Sequence, residues 1–334
     1  MHRCLQLAQL GEEFVAPNPM VGCVIVFEGK IVAEGYHKKH GGPHAEVNAL
    51  NILPTGITIS ECDVYVSLEP CSHFGKTPPC ADLIIAKRPK NLFVGMLDPN
   101  PKVAGTGVEK IRKAGVNVSI GILELQCAEL NKKFVSFFKQ KQPFITLKWA
   151  QTADNFMGRL LDSRDLPRQI SNKENSVFVH KLRATHTAIM VGANTVNNDN
   201  PLLDLRFWKG RNPTKVIVSK SLSVDLDSKV FKSGKCLILN GLKDGKGTNL
   251  EFVKLNDFTA KGILRALYKL GIQSVLIEGG PTLLNLFIRE NVWNEVIIIS
   301  SKTTWLSGVS APVLNAIPTS TEVKFGDTIN YYKN

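Results

Sequence analysis

Three side chains near the start of the chain have the types and order needed to hold a transition metal. His44 stands in His44-Ala45-Glu46, and two thiols follow in Pro70-Cys71 and Pro79-Cys80. One imidazole and two thiolates suit Zn²⁺. Three protein ligands leave the fourth position to water, which marks a catalytic rather than a structural site. Such an ion lowers the pKa of its water toward neutrality. Glu46, two residues past His44, is placed to carry a proton from that water to a leaving amine without ligating the ion. His73, between the cysteines, competes as a fourth ligand. A closed set would exclude water, so the three-ligand set is expected. Taken singly, each piece has a blander reading: a helix start with a solvated carboxylate, or a buried thiol in a turn. Cys4, Cys23, Cys62, Cys127 and Cys236 lack a ligand-like setting and are expected to be inert thiols.

The elements that must position these groups read as alternating strands and helices. Leu5 to Leu10 forms a helix capped by Gly11, and Pro17-Asn18-Pro19 makes a rigid loop before the apolar strand Val21 to Phe27. A turn at Glu28-Gly29 leads to a second strand, Lys30 to Gly35. Pro43 opens a helix that presents His44 and Glu46 from its first turn. The strand Val64 to Leu68 delivers Glu69-Pro70-Cys71 at its carboxyl end, and Cys80 starts a helix running to Lys87. Both metal-bearing segments then lie at helix N-termini, where the dipole favours thiolate and carboxylate. Asn91 to Gly95 is a strand, Gly105 to Gly115 a helix and Val116 to Ile120 a strand. This alternation makes an α/β sandwich. Glu124 to Lys139 reads as one helical stretch, and the polar run ending at Pro143 separates two domains, 1–142 and 143–334.

In the second half, Phe144 to Ala150 is a strand and Thr152 to Asn155 a turn. Lys173 to His186 is a helix and Thr187 to Val191 a strand. A polar loop with ordered turn chemistry runs from Gly192 to Leu203, followed by strands at Lys215 to Ser219 and Cys236 to Asn240. Gly241 to Thr248 reads as a surface loop, and Ile263 to Leu270 as a helix. The buried strand Val275 to Ile277 ends in Glu278-Gly279-Gly280-Pro281-Thr282-Leu283. Two glycines let a ligand approach the backbone, and Pro281 begins a helix, so N–H groups and dipole converge on a phosphate cradle. Gly-Gly-Pro after a strand is otherwise just a turn. There is no Gly-x-Gly-x-x-Gly, which argues against a Rossmann domain.

The order His-x-Glu followed by Pro-Cys and Cys is that of the zinc deaminases, whose usual cysteine pair is Cys-x-x-Cys. Here eight residues separate Cys71 from Cys80, in Cys71-Ser72-His73-Phe74-Gly75-Lys76-Thr77-Pro78-Pro79-Cys80. His73 and Lys76 in this insert can bind an anion or a ring oxygen. The segment resembles the bifunctional deaminase/reductase family of riboflavin biosynthesis, the RibD/RibG type. The resemblance extends through Pro17 to Gly22, Gly42 to Glu46 and Asp98-Pro99-Asn100-Pro101, and into the second half. It implies a cytidine-deaminase-like α/β/α sandwich followed by an α/β domain similar to dihydrofolate reductase. It also implies one Zn²⁺ per deaminase domain and NADPH in the reductase domain.

The implied first reaction is deamination of 2,5-diamino-6-ribosylamino-4(3H)-pyrimidinone 5′-phosphate, and the second is NADPH-dependent reduction of its ribosyl group to ribityl. Asn18 either satisfies turn backbone or, by the resemblance, holds the base; His37 has the same double reading. Asp98 and Asn100 would face the same cleft. The resemblance places Arg183 and Arg206 on the substrate phosphate, a task that suits guanidinium forks, though each also reads as a surface ion pair. It sets Leu203 against the substrate and Glu278 at its ribityl end. Gln151, Gln169, Thr195, Asp199 and the backbone from Gly279 to Leu283 would contact NADPH. Asn155 replaces a frequent glycine, and Asn tolerates left-handed backbone. Pro167 stands where the family often has a serine, which leaves open a chain with only one of the two activities.

Composition fits this. The chain has 334 residues, 43% of them hydrophobic and 21% charged. No apolar run is long enough to span a membrane, and the N-terminus is too short and polar for a signal peptide. Seven cysteines suit a reducing cytoplasm better than a disulfide framework. The net charge of +12 raises the alternative of a nucleic-acid base deaminase with an accessory domain. The basic residues are scattered, however, which favours a surface that attracts a phosphorylated small molecule, with neither nucleic acid nor membrane as partner. Another alternative is a scaffold in which zinc only staples the fold. The resemblance implies a homo-oligomer, dimer or tetramer.

Overall fold

The strand Gly22–Phe27 (β1) sends Cys23 and Ile25 to one face and Val24 and Val26 to the other, and each set meets a separate apolar cluster. Both faces of the sheet are therefore covered, as a near-continuous apolar run requires. The structure is a computed structural model. It describes residues 1–74, 78–101, 103–159 and 169–334, in two compact units, Met1–Lys141 and Gln142–Asn334.

In the first unit His2–Gln9 (α1) precedes β1, and Lys30–Tyr36 (β2) pairs antiparallel with it. Ala45–Leu50 (α2), Asp63–Leu68 (β3), Cys80–Lys87 (α3), Asn91–Met96 (β4), Thr106–Lys113 (α4) and Asn117–Ile120 (β5) follow. The sheet order is β2-β1-β3-β4-β5, with β3, β4 and β5 parallel. Ala45 and Ala49 of α2, Ala81 and Ile84 of α3, and Val108 and Ile111 of α4 share one cluster with Ile25, Val66 and Val94. Cys4 and Leu7 of α1 pack on the opposite face with Val24. This is the three-layer α/β/α sandwich expected from the sequence.

The helical stretch read as one is two, Glu124–Leu130 (α5) and Lys132–Gln140 (α6). They break at Asn131, whose side chain accepts from the N–H of Met20 and donates to its carbonyl, at 2.8 and 2.9 Å. Gly11 is not a left-handed cap either. The first helix stops on Leu10, and a Cβ on Gly11 would stand 2.5 Å from the His37 carbonyl, so glycine serves a close approach. The metal-side helix starts at Ala45 with His44 as its N-cap, two residues later than Pro43 suggested.

The second unit runs Phe144–Gln151 (β6), Phe156–Gly158 (β7), Asn175–Ala184 (α7), Ala188–Gly192 (β8), Ala193–Asp199 (α8), Thr214–Val218 (β9), Cys236–Asn240 (β10), Gly245–Lys246 (β11) and Leu250–Lys254 (β12). It continues with Ala260–Lys269 (α9), Ser274–Ile277 (β13), Pro281–Arg289 (α10), Glu295–Ser300 (β14), Val309–Ser310 (β15), Ser320–Lys324 (β16) and Asp327–Lys333 (β17). Its large sheet has the order β11-β12-β10-β9-β8-β13-β6-β14-β17-β16, parallel from β12 to β14 and antiparallel at both ends. Leu237 and Leu239 face the cluster of α9 and α10, while Cys236 and Ile238 face that of α8. The Gly192 to Leu203 segment is thus not a loop throughout: residues 193–199 are helical. The supposed surface loop after Asn240 contains β11, and Asn155 takes left-handed backbone at φ 63° as its type allows.

Close approach at Gly35 fixes where α2 sits, since an added Cβ would lie 2.4 Å from both Ala45 O and Ala49 N. Gly35→Ala is expected to lower unfolding free energy by about 2 kcal/mol or more by overpacking. Gly192→Ala, which meets nothing within 4 Å, is expected to stay within about 0.5 kcal/mol of the parent. Denaturant unfolding of both variants checks this.

Candidate active sites

The amino end of α2 and the amino end of α3 meet at the carboxyl end of β3. His44 Nδ1 lies 3.5 Å from Cys71 Sγ and 3.3 Å from Cys80 Sγ, and the three ligand atoms all fall within 4.8 Å of one another. Tetrahedral zinc with ordinary Zn–S and Zn–N bonds spaces its ligand atoms roughly 3.6 Å apart. The donor set therefore fits zinc in type and in spacing. The Cys80 thiol and backbone N–H both donate to Cys71 Sγ, so Cys71 is held well below the ordinary thiol range, with His44 helping. Donation to Cys71 and burial push Cys80 up. The His44 imidazole is raised by its bond to Cys71.

Glu46 is 3% exposed, and burial raises its pKa, with the Cys71 charge adding to the effect. A carboxyl raised in this way suits a group that must both take and give a proton. The His37 and His44 rings meet edge to face at 5.3 Å. His37 Nδ1–H donates to the Pro43 carbonyl at 3.0 Å, so its Nε2 accepts from Asn18 Nδ2 at 3.1 Å. Burial holds His37 below the usual range, which agrees with this neutral form. Asn18 and His37 thus form one unit beside the ligand set. Asp98 is pushed up to about 6, chiefly by burial, and its Oδ1 accepts from the Asn100 N–H at 2.8 Å. His73 is exposed and stands outside the ligand cluster. Lys76 and Pro167 lie outside the described residues. Cys4, Cys23, Cys62, Cys127 and Cys236 are buried, free thiols.

In the second unit, β8, β13 and β6 lie side by side and parallel, so their carboxyl ends share one edge of the sheet. Ligands bind at such edges in open α/β sheets. Thr195 Oγ1 accepts from the Gly280 N–H at 3.0 Å and joins the loops after β8 and β13. A Cβ on Gly280 would fall 3.3 Å from that hydroxyl, and one on Gly279 would fall 3.0 Å from the Leu283 side chain. Gly280 caps α10, with Pro281 in the first turn and Thr282 and Leu283 following. The cradle is thus open only because these positions carry no side chain.

Glu278 and Arg183 form a two-point fork at 2.9 Å each, with side chains 10% and 12% exposed. Arg183 Nη1 also donates to the Asp204 carbonyl. Arg206 is nearly half exposed and pairs with Asp204 at 2.5 Å. Of the two arginines, Arg206 is the more accessible to a phosphate. Leu203 is buried among Val191, Val196 and Ile217, with left-handed backbone at φ 51°, so it offers a ligand backbone rather than side chain. Gln151 is bonded locally to Trp149 and Asn155, and Gln169 to the Ser171 carbonyl. Asp199 is exposed at the end of α8.

A family model described as the cytidine and deoxycytidylate deaminase zinc-binding region matches residues 1–96, and the RibD C-terminal domain matches residues 143–302. The riboflavin biosynthesis protein RibD of Aquifex aeolicus is 39% identical over 318 residues, covering 93% of this chain and 88% of the relative. The chain belongs to the RibD family. RibD of Actinobacillus pleuropneumoniae is 36% identical over 89% of the chain and 81% of its own length. Among solved structures, a diaminohydroxyphosphoribosylaminopyrimidine deaminase/5-amino-6-(5-phosphoribosylamino)uracil reductase from Thermotoga maritima is 34% identical. It aligns with a TM-score of 0.86 over 100% of this chain and 97% of that one. RibD of Acinetobacter baumannii, 29% identical, aligns with a TM-score of 0.88 over 99% and 96%. His44, Glu46, Cys71 and Cys80 all fall inside the region, residues 1–96, that matches the cytidine and deoxycytidylate deaminase zinc-binding model.

Three residues beside these RibD sites escaped the sequence reading. Lys148 on β6 feels both Glu278 and Arg183, and burial lowers its pKa. Its signal was a charge inside an otherwise apolar strand. His180, on α7 near Arg183, is held at about 4 by burial and by the neighbouring arginines. Glu69 directly precedes the Pro70-Cys71 pair and is 3% exposed.

Burial pushes Glu278 up, but Arg183 and Lys148 outweigh it and bring it to about 2, from an ordinary 4.5. The folded chain then binds fewer protons than the unfolded one. The stabilisation is complete above about pH 4.5 and is lost as pH falls toward 2. Urea unfolding between these limits is expected to show that slope in the parent and a shallower one in Glu278→Gln. Arg183→Met is expected to cost about 3 kcal/mol at pH 7, because it strips the fork from a buried carboxylate.

Proposed function

We propose that the first unit deaminates 2,5-diamino-6-ribosylamino-4(3H)-pyrimidinone 5′-phosphate. The second unit then reduces the ribosyl side chain to give 5-amino-6-ribitylamino-uracil 5′-phosphate. The observation that carries the reading is the His44, Cys71 and Cys80 set with Glu46 buried beside it, in a chain that matches RibD over 93% of its length. The phosphate common to both substrates suits a basic chain of net charge +12.

His44, Cys71 and Cys80 would hold a zinc ion, and the chemistry it would supply when bound is Lewis-acid activation of a water molecule. Glu46 takes a proton from the attacking water and gives it to the departing amine, so that ammonia leaves as a neutral group. Asn18 is held by neutral His37 and grips the pyrimidine edge. Asp98 and Asn100 form the opposite wall, with His73 on the substrate's phosphoribosyl side. The buried surroundings of Glu46 exclude competing water and keep the proton on the carboxyl until the amine needs it.

In the second unit the chemistry that a bound NADPH would supply is the hydride. Thr195, Asp199, Gly279, Gly280, Pro281, Thr282 and Leu283 bind the dinucleotide, with Gln151 and Gln169 at its margin. Arg206 holds the substrate phosphate, with Arg183 behind it, and Leu203 backs the substrate. Glu278, kept ionised by Arg183 and Lys148, accepts hydrogen bonds from the ribityl hydroxyls. No helix among the described residues is long and apolar enough to cross a membrane. The enzyme works on a small phosphorylated pyrimidine in the cytoplasm as a homo-oligomer, dimer or tetramer, and neither nucleic acid nor membrane is a partner.

Glu46→Gln is expected to keep one zinc per chain and full reduction of the aminouracil while ammonia release falls about 10³-fold. Ammonia release at the parental rate would remove Glu46 from the mechanism. Arg206→Ala is expected to raise KM for reduction about tenfold through a lost charge-assisted contact and to leave deamination alone. Equal loss of both activities would count against the assignment. A coupled assay with and without NADPH reads both variants.

A further inference from the structure

The α4 helix begins without a side-chain cap of its own: its N-cap is Gly105, whose backbone is left-handed at φ 77°. The first N–H groups of a helix have no partner inside it and must find one elsewhere. Here they find Glu69, from the carboxyl end of β3. Its Oε1 accepts from the N–H groups of Gly107 and Val108 at 2.9 and 3.2 Å. Its Oε2 accepts from Gly105 and Asp98 at 2.9 and 3.1 Å. One buried oxygen therefore ties together the residue where the chain leaves β4 and the residue where it enters α4. Asp98 is the first of these two residues, and Asn100 stands between them. Within this turn Asp98 Oδ1 accepts from Asn100 N–H, and the Asn100 carbonyl accepts from Val103 and Ala104.

The other end of the Glu69 residue is the metal turn, since Pro70 and Cys71 follow it directly. That turn is pressed on α4 as well. A Cβ on Gly107 would stand 2.1 Å from the Pro70 carbonyl, and Ser72 Oγ meets Thr106 Oγ1 at 2.6 Å. The turn that bears the thiol and the turn that bears the Asp98 carboxyl are thus held through one buried side chain.

Resting on the functional reading above, we propose that Glu69 is a positioning residue for deamination. It fixes the Asp98–Asn100 turn relative to Cys71, so that a pyrimidine held on that turn presents its amine-bearing carbon to the ligand set. Glu69→Gln tests this, because the amide keeps the shape but turns an N–H₂ donor toward backbone donors. The expected result is a KM for the diaminopyrimidinone phosphate about tenfold higher, as befits a lost buried hydrogen-bond pair. Calorimetry should show weaker binding of the aminouracil phosphate to the first unit's site by a similar factor, in full-length protein with NADPH absent. Zinc stays at one per chain, and the KM and rate of reduction stay within about twofold of the parent.

A merely structural cap would lower the melting temperature and the active fraction at unchanged KM, and that outcome overturns the proposal. Loss of zinc overturns it too, since Glu69 would then serve the ligands rather than the turn. Should Glu69→Gln fail to fold, Gly105→Ala decides: it strains the donor side of the same joint and is expected to raise KM about threefold, while unchanged KM rejects the idea. A parent enzyme that releases no ammonia from this substrate would sink the functional reading instead. An active parent with unaltered variants sinks only the role of Glu69.

Discussion

Two helix N-termini brought to the carboxyl end of one central strand are the constraint on which the first site depends. The β3 strand pairs with β1 on one side and β4 on the other, so its end lies in the middle of the sheet. There α2 contributes His44 and Glu46, and α3 contributes Cys80. A thiolate is costly to bury. The Cys80 backbone N–H bonded to Cys71 and the partial positive charge at the start of α3 offset that cost before any ion arrives. The same edge gathers the Glu69 carboxyl and the four backbone N–H groups from which it accepts.

The second unit solves a similar problem with fewer polar groups. Its parallel strands are covered by apolar clusters on both faces, and the carboxyl ends of β6, β8 and β13 share one edge. Glu278 sits there with a guanidinium fork on one side and an ammonium nearby. A buried pair of this kind contributes less to net stability than its Coulomb attraction suggests, since both partners lose their water. Its value is that the carboxylate stays charged and fixed in direction. The exposed pair of Lys113 and Glu109, with side chains 74% and 65% exposed, has no comparable effect, because solvent screens it.

The two sites also differ in how they leave room for a ligand. In the first, a buried acid, a neutral histidine and a rigid turn surround the ligand set. In the second, Gly279 and Gly280 keep the backbone bare beside Thr195. The difference suits the chemistry: proton transfer needs groups held at defined atoms, whereas hydride transfer needs a cofactor laid against its substrate.

The sequence by itself determined the ligand types, their order and the alternation of strands and helices, because side-chain chemistry and hydrophobic period are local properties. The long spacing from Cys71 to Cys80 was legible for the same reason, and so was the left-handed tolerance of Asn155. The tertiary structure alone decided which partners the polar groups take. Asn131 breaks a helix to bond Met20, more than a hundred residues earlier. Residues 193–199 become helical although Asn and Asp favour turns, because Ala193 and Val196 pack into the core beside Ile217. Arg183 is drawn into a fork with Glu278, and Glu69 caps a helix from another part of the chain. Such contacts join residues far apart in sequence. Propensity and period carry no trace of them, since the partner is set by how strands order within the sheet.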